Sequence, residues 1–388
     1  MQTTIFILGF LMFVGLVLVH ELGHFWAARR NGVVVKEFGL GFPPRAWSKK
    51  LKSGLVLSLN WLPLGGFVRL KGEHDADRSP GSFGAAPLAA KVKIMLAGVS
   101  LNLLLAVLLF MILAVVGMPK LIDHQFQIKG DAKVAHTQVI AGYIQPASPA
   151  RAANLSSYDV IEKIASAGDS RTINSLTDLR AATSFFAGQT VQLMIKHGGQ
   201  QLTKQVHLLD KQTVQASQNT ADPRGYLGVE STELQITKAT WSAPIVALGL
   251  SKQLAILTLQ GLWHAFSGLS STVAGLLTAN HQARQNGQAK ASSQVGGPVA
   301  IVAALWHSGS LGLNFLLMLI AVISLTLALF NALPIPALDS GRLLLTLIFR
   351  SLRRPMSKTT EELIHGLGMV LILGLIVLVT IVDVKRFF

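Results

Sequence analysis

Hydrophobic positions in this chain gather into long unbroken blocks. Four of them, roughly 5–28, 92–117, 312–334 and 363–382, are long and apolar enough to predict helices crossing a hydrocarbon layer about 30 Å thick. A fifth apolar stretch, 244–278, is interrupted by Lys252, Gln253, Gln260 and His264 and is rich in Gly and Ser. That pattern suits a helix on the membrane surface, one packed among the spans, or a segment dipping into the bilayer. Between the second and third blocks the pattern changes. Short β-type runs at 137–141, 160–164 and 190–196 alternate with helical signals at 148–154 and 176–186, predicting a soluble module of about 90 residues over 125–211. Polar linkers follow at 211–224 and 279–294, and no internal repeat stands out.

Composition agrees with a multi-span membrane protein: 51% of the 388 residues are hydrophobic and only 14% charged. The formal charge of +15 raises nucleic acid as a partner, but the basic residues flank apolar blocks instead of forming a groove interleaved with aromatics, so no nucleic acid is expected. They concentrate between the first two blocks, from Arg29 to Lys93, and after the third, at Arg350, Arg353, Arg354 and Lys358. The positive-inside rule then makes both loops cytoplasmic and puts 118–311 outside. The first apolar run has no basic residue before it and continues through Phe25-Trp26-Ala27-Ala28 without a small-residue cleavage pattern, so a retained helix is expected. With no cysteine, a bound metal must use His, Asp, Glu or water.

The first block ends in His20-Glu21-Leu22-Gly23-His24. On a helix the two histidines stack on one face, with Glu21 about 100° round from His20. This offers two imidazoles to one metal and a carboxylate beside it as general base. At about 1.5 Å per residue His20 lies on the order of 20 Å into the layer, where ionisable side chains need partners. Catalytic zinc usually takes three protein ligands, so a third must come from elsewhere. The best candidate is Asp339, in Asn331-Ala-Leu-Pro-Ile-Pro-Ala-Leu-Asp339-Ser-Gly-Arg, where Pro334 and Pro336 break the third span. Asp339 taken alone also suits the N-cap of a helix over 341–352.

The HELGH motif in the first span and Asn-x-x-Pro-x-Pro-x-Leu-Asp-x-Gly at 331–341 resemble the site-2 proteases (peptidase M50), specifically the RseP-type bacterial enzymes with a PDZ domain, over nearly the whole chain. The resemblance implies that Zn2+ is held by His20, His24 and Asp339, that Glu21 is the catalytic acid/base, and that Asn331 holds substrate backbone. Ala97-Gly98-Val99-Ser100-Leu101-Asn102 partly matches the family's Ala-Gly-Pro-x-x-Asn element, which makes Asn102 a candidate for substrate binding or for a plain interhelical hydrogen bond. The loop 33–72 is similar to the family's membrane-associated β region. Gly54 to Pro63, then Gly65, Gly66, Phe67 and the residues to Lys71, read as two strands joined through a turn. An unwound substrate needs partners for its freed amides in an apolar layer, and an exposed strand edge offers them. The alternative is a hairpin resting on the headgroups. Tyr143 to Ile161 resembles the PDZ pattern, with Asn154 and Tyr158 where that family usually has Gly. Likewise Ser340 stands where the family usually has the first Gly of Asp-Gly-Gly, which bears on the backbone if that Gly needs positive φ.

The expectation is therefore a polytopic α-helical membrane protein with four transmembrane helices, a membrane-associated β-hairpin region and one extracytoplasmic PDZ-like α+β domain. Its order is span one (1–30), cytoplasmic loop with the β region (31–91), span two (92–117), PDZ-like domain (125–211), linker and amphipathic or surface segment (212–311), span three (312–341), cytoplasmic loop (342–362) and span four (363–382). The resemblance implies a zinc metalloendopeptidase of the bacterial inner membrane, with its site toward the cytoplasm, acting in regulated intramembrane proteolysis. Implied partners are the lipid bilayer and single-span membrane proteins, such as anti-sigma factors or signal-peptide remnants, already trimmed by an upstream site-1-type protease. The PDZ-like domain would bind ligand or filter out bulky ectodomains. An inactive PDZ-bearing scaffold would be expected to have lost Glu21 or a ligand. A metal transporter would carry further acidic or His residues along several spans; spans two and four lack them apart from His365, which is read as interfacial near the start of span four.

Overall fold

The computed structural model describes residues 2–74, 76–166, 168–220, 223–277, 297–352 and 357–387; the linker 279–294 and Arg353 and Arg354 lie outside these. The chain forms two compact units, one of 1–9, 109–250 and 303–319, the other of 10–108, 251–302 and 320–388.

Among the described residues five helices are long and apolar enough to cross a membrane, one more than the four blocks predict. They are α1 (Gln2–Arg30), α2 (Leu88–Val116), α6 (Ala243–Leu277), α8 (Leu313–Ala332) and α10 (Lys358–Phe387), with the shorter α7 (Pro298–Leu311) before α8. The added one is the stretch of unsettled placement: its isolated polar residues leave Ala243–His264 continuous and apolar. On α10, Leu371 is 73% exposed and Val370 67%. Such faces, uncovered by protein, suit a hydrocarbon solvent.

In the second unit, β1 (Val35–Lys50) and β2 (Val56–Leu70) form a two-stranded antiparallel sheet in which both strands bend. The segments read from sequence as two strands are the two arms of β2. They do not pair with each other: the 37–40 part of β1 lies between them, with Leu40 opposite both Gly66 and Leu59. The 66–70 arm is therefore an edge among the described residues. Glu37, buried at the centre, is paired with Arg45 and Arg69 at 2.7 Å each, so its charge is compensated twice. Trp47 and Trp61 stand exposed on this sheet.

The first unit holds a seven-stranded sheet of order β3-β9-β4-β5-β7-β8, with β6 on β5. The strands are β3 (Met118–Pro119), β4 (Lys133–Ile144), β5 (Val160–Ser166), β6 (Asp169–Thr172), β7 (Thr190–His197), β8 (Gln200–His207) and β9 (Val229–Lys238). Helices α3 (Pro149–Ala152) and α4 (Leu176–Phe185) are capped by Ser148 and Ser175. Ile161, Leu193, Phe186 and Leu227 share its core. The module thus runs past the predicted boundary at 211: α5 (Lys211–Ser217) occupies the predicted linker, and β9 pairs along most of β4. Asn154 and Tyr158 have φ of 53° and 71°. These two positions, where the similar family carries Gly, need left-handed backbone, and this chain bears it with side chains.

Buried Asp131 ties this module to the start of α6. It accepts from the backbone N–H groups of Thr240 and Ser242 at 2.7 and 3.1 Å and from their hydroxyls at 2.5 and 2.6 Å. Those bonds, the Ser242 hydroxyl foremost, hold its carboxyl well below the usual carboxylate range.

Candidate metal centre

Three side chains from two distant stretches converge in the second unit. Helix α1 presents His20 and His24 one turn apart, and both are buried. The chain leaves α8 at Ala332, passes Pro334 and Pro336, and enters α9 (Asp339–Ser351) with Asp339 as its first residue. Leu338 holds the N-cap position and makes no side-chain cap bond, so the N-cap alternative for Asp339 does not apply. Its Oδ2 lies instead 3.0 Å from Nε2 of His20 and 3.1 Å from Nε2 of His24, and the two Nε2 atoms are 3.2 Å apart.

The protonation of the rings follows from their other nitrogens. His24 Nδ1 is 2.8 Å from the carbonyl of Ile94, which can only accept, so Nδ1 carries a proton and, in the neutral ring that binds metal, Nε2 carries the lone pair. Asn102, fully buried on α2, faces His20 Nδ1. With its amide nitrogen toward the ring, Nδ2 is 3.5 Å away and Oδ1 is buried without a partner. The isosteric opposite orientation lets Oδ1 accept from Nδ1–H. Both Nε2 atoms then aim lone pairs at each other and at a carboxylate oxygen. Three such acceptors at 3.0–3.2 Å repel unless a proton or a metal ion lies among them. Tetrahedral ligands on bonds of about 2.0–2.1 Å stand about 3.3 Å apart, so nitrogen, nitrogen and oxygen here match a small divalent ion such as zinc.

Around this trio the packing is tight at glycines. A Cβ on Gly98 of α2 would lie 2.5 Å from His24 Nε2, and one on Gly23 would lie 2.7 Å from the Ala97 carbonyl. These two positions let the backbones of α1 and α2 close on the imidazoles. Ser340 sits in the first turn of α9, and the left-handed residue of this stretch is Ala337, with φ of 83°. Gly341 is the sterically required glycine, because a Cβ there would overlap the Ile335 carbonyl. Ser at 340 is therefore compatible with the backbone.

Beside the trio opens a cavity of about 590 Å³, lined by Glu21, His24, Gly66, Phe67, Asp339 and Arg342 among others. Gly66 of the edge arm sits so close that a Cβ would lie 3.0 Å from Glu21 Cγ. Gly65, at φ 90°, makes the bend leading into that arm. Asn331 is half-buried near the end of α8 and does not line the cavity; Asn102 does not line it either, its contact being with His20. Ile94 carries no signal in the sequence, and Gly98, although part of the Ala97–Asn102 element, shows its role only through its contact with His24.

The chain is similar along its length to relatives each named "putative zinc metalloprotease". One from Clostridium perfringens is 32% identical over 378 residues, covering 97% of this chain and 98% of the relative. One from Clostridium acetobutylicum is 28% identical, covering 97% and 96%, and one from Fusobacterium nucleatum is 24% identical, covering 99% of each. The family model described as peptidase family M50 matches residues 8–375. With that match running from the first helix into the last, and the His20, His24 and Asp339 trio inside it, the chain belongs to peptidase family M50.

Proposed function

We propose that this protein is an intramembrane zinc endopeptidase of the site-2 type, with His20, His24 and Asp339 as metal ligands and Glu21 as general acid/base. The observation that carries the reading is the convergence of two imidazole lone pairs and one carboxylate oxygen within 3.2 Å, with Glu21 at the wall of the adjoining cavity. Zinc, when bound, supplies a Lewis acid that brings the pKa of a water toward about 7. Glu21 takes the proton of the water that attacks the peptide carbonyl, then delivers it to the leaving amine. Ile94 and Asn102 hold the two imidazoles in the tautomer that leaves Nε2 free.

The substrates are single-span segments, unwound and lying along the 66–70 edge. Gly66 lets such a segment approach Glu21, and the unpaired edge offers backbone partners for amides that have left a helix. The sheet module of the first unit is a PDZ-like domain on the outer side of a bacterial inner membrane. It screens substrates that a site-1-type protease has shortened, as anti-sigma factors or signal-peptide remnants are, in regulated intramembrane proteolysis. The basic loops support a metal centre that faces the cytoplasmic side. Retention of Glu21 with all three ligands argues against a scaffold that has lost catalysis.

The test compares cleavage of a single-span reporter by wild type and Glu21→Gln, with zinc measured in both. The variant is expected to keep its zinc and lose activity by roughly 10²-fold or more. Equal cleavage by the two would overturn the reading.

A further inference from the structure

The stretch that delivers Asp339 makes one hydrogen bond it cannot make alone. Between α8 and α9 the chain runs through Leu333-Pro-Ile-Pro-Ala-Leu338, where the two prolines have no N–H to donate. The Leu333 N–H goes to Phe330 O at 3.1 Å, Ile335 N–H to Leu333 O at 2.8 Å and Leu338 N–H to Ile335 O at 3.1 Å, all within the local chain. The remaining N–H, of Ala337, goes to Nδ1 of His365 on α10 at 3.2 Å. Ala337 is also the residue held left-handed at φ 83°, a conformation a Cβ disfavours. Three residues along α10, Gly368 brings the helix backbone against the same loop: a Cβ there would overlap the Pro336 carbonyl.

We propose that His365 is a positioning residue for Asp339: by accepting the Ala337 N–H it holds the loop in the left-handed conformation that aims Asp339 at His20 and His24. The proposal rests on Asp339 being a metal ligand. His365 lines the same cavity and lies near the start of α10, where the sequence reads as an interfacial histidine. Without the acceptor, the Ala337 amide is left without its partner, and among the described residues no other hydrogen bond of this loop opposes relaxation of its φ to ordinary values. A turn of the backbone two residues before Asp339 swings the carboxylate relative to α1, and metal affinity falls, as it does when residues supporting a ligand are removed.

The experiment measures zinc affinity of the full-length chain in detergent, by competition with a chromogenic chelator, in His365→Asn, His365→Gln and Asp339→Ala. Asn places a carbonyl oxygen where Nδ1 stands, whereas Gln carries its oxygen one bond further, so the two differ in acceptor position and little in polarity. Asn is expected to bind zinc nearly as wild type does, and Gln about 10-fold or more weakly. Adding Ala337→Gly to the Gln variant is expected to recover affinity, because Gly holds positive φ without help. Wild-type affinity in the Gln variant, or equal losses in Asn and Gln, would overturn the role of His365. Those results would leave the metal site itself standing if Asp339→Ala loses zinc. Wild-type affinity in Asp339→Ala would instead bring down the ligand assignment beneath it.

Discussion

Gly98 faces His24 so closely that a single methyl group on it would stand 2.5 Å from the imidazole Nε2. The void that a glycine leaves on α2 is thus occupied by the metal-facing edge of a ring on α1. Gly98→Ala forces the ring or the helix to move, an overpacking that costs about 1–3 kcal/mol. Zinc content of the purified variant is expected to drop sharply, with reporter cleavage falling in step; full zinc occupancy would show that the contact relaxes without disturbing the trio.

Asn102 provides a second check on the imidazoles. Asn102→Leu removes the acceptor for His20 Nδ1–H and is expected to weaken zinc binding about 10–100-fold, measured against a chelator. Asn102→Asp keeps an acceptor at that place and should retain most of the affinity. Equal affinities for the Leu variant and wild type would return Asn102 to a simple interhelical role.

Asp131 links stability to pH in a defined direction. Its carboxyl is depressed below the ordinary value by the Ser242 and Thr240 bonds, so the unfolded chain takes up the proton first as pH falls. Its contribution is complete above the unfolded pKa near 3.9 and is lost progressively as pH drops below it. Asp131→Ala should melt below wild type at pH 7, with the gap narrowing toward pH 3 (about one unit under the unfolded value). A gap independent of pH would show that the bonds do not carry this linkage.

Asn154 is exposed and left-handed at φ 53°. Asn154→Gly should leave stability unchanged or raise it by up to about 1 kcal/mol, whereas Asn154→Val should lower it by about 1–2 kcal/mol. Thermal melts of both variants decide the matter, and a Val variant as stable as wild type would refute the strain.

Local chemistry made some of this architecture legible and distance hid the rest. The His20 and His24 pair lies within one helical turn, so spacing alone carries its geometry. The break at Pro334 and Pro336 marks a bend near Asp339 in the same local way. The sheet of β1 and β2 was harder: both arms of β2 have strand-like sequence, but the insertion of 37–40 between them is a register choice made across the chain. The extent of the soluble module was likewise hidden, because β9 belongs to it only through pairing with β4. Gly98, Ile94 and His365 act through contacts between helices, and an all-round apolar helix gives no period from which to read the facing side.

His20 and Asp339 are 319 positions apart, in a chain that has no cysteine. A metal bridging them ties the first helix to the start of α9 much as a covalent staple would, closing a very long loop whose opening is entropically favoured in the unfolded chain. The centre is then a fastening as well as a reagent. Chelation should loosen the chain and expose it to proteolysis before any substrate is present, so that metal supply governs the lifetime of the protein along with its rate.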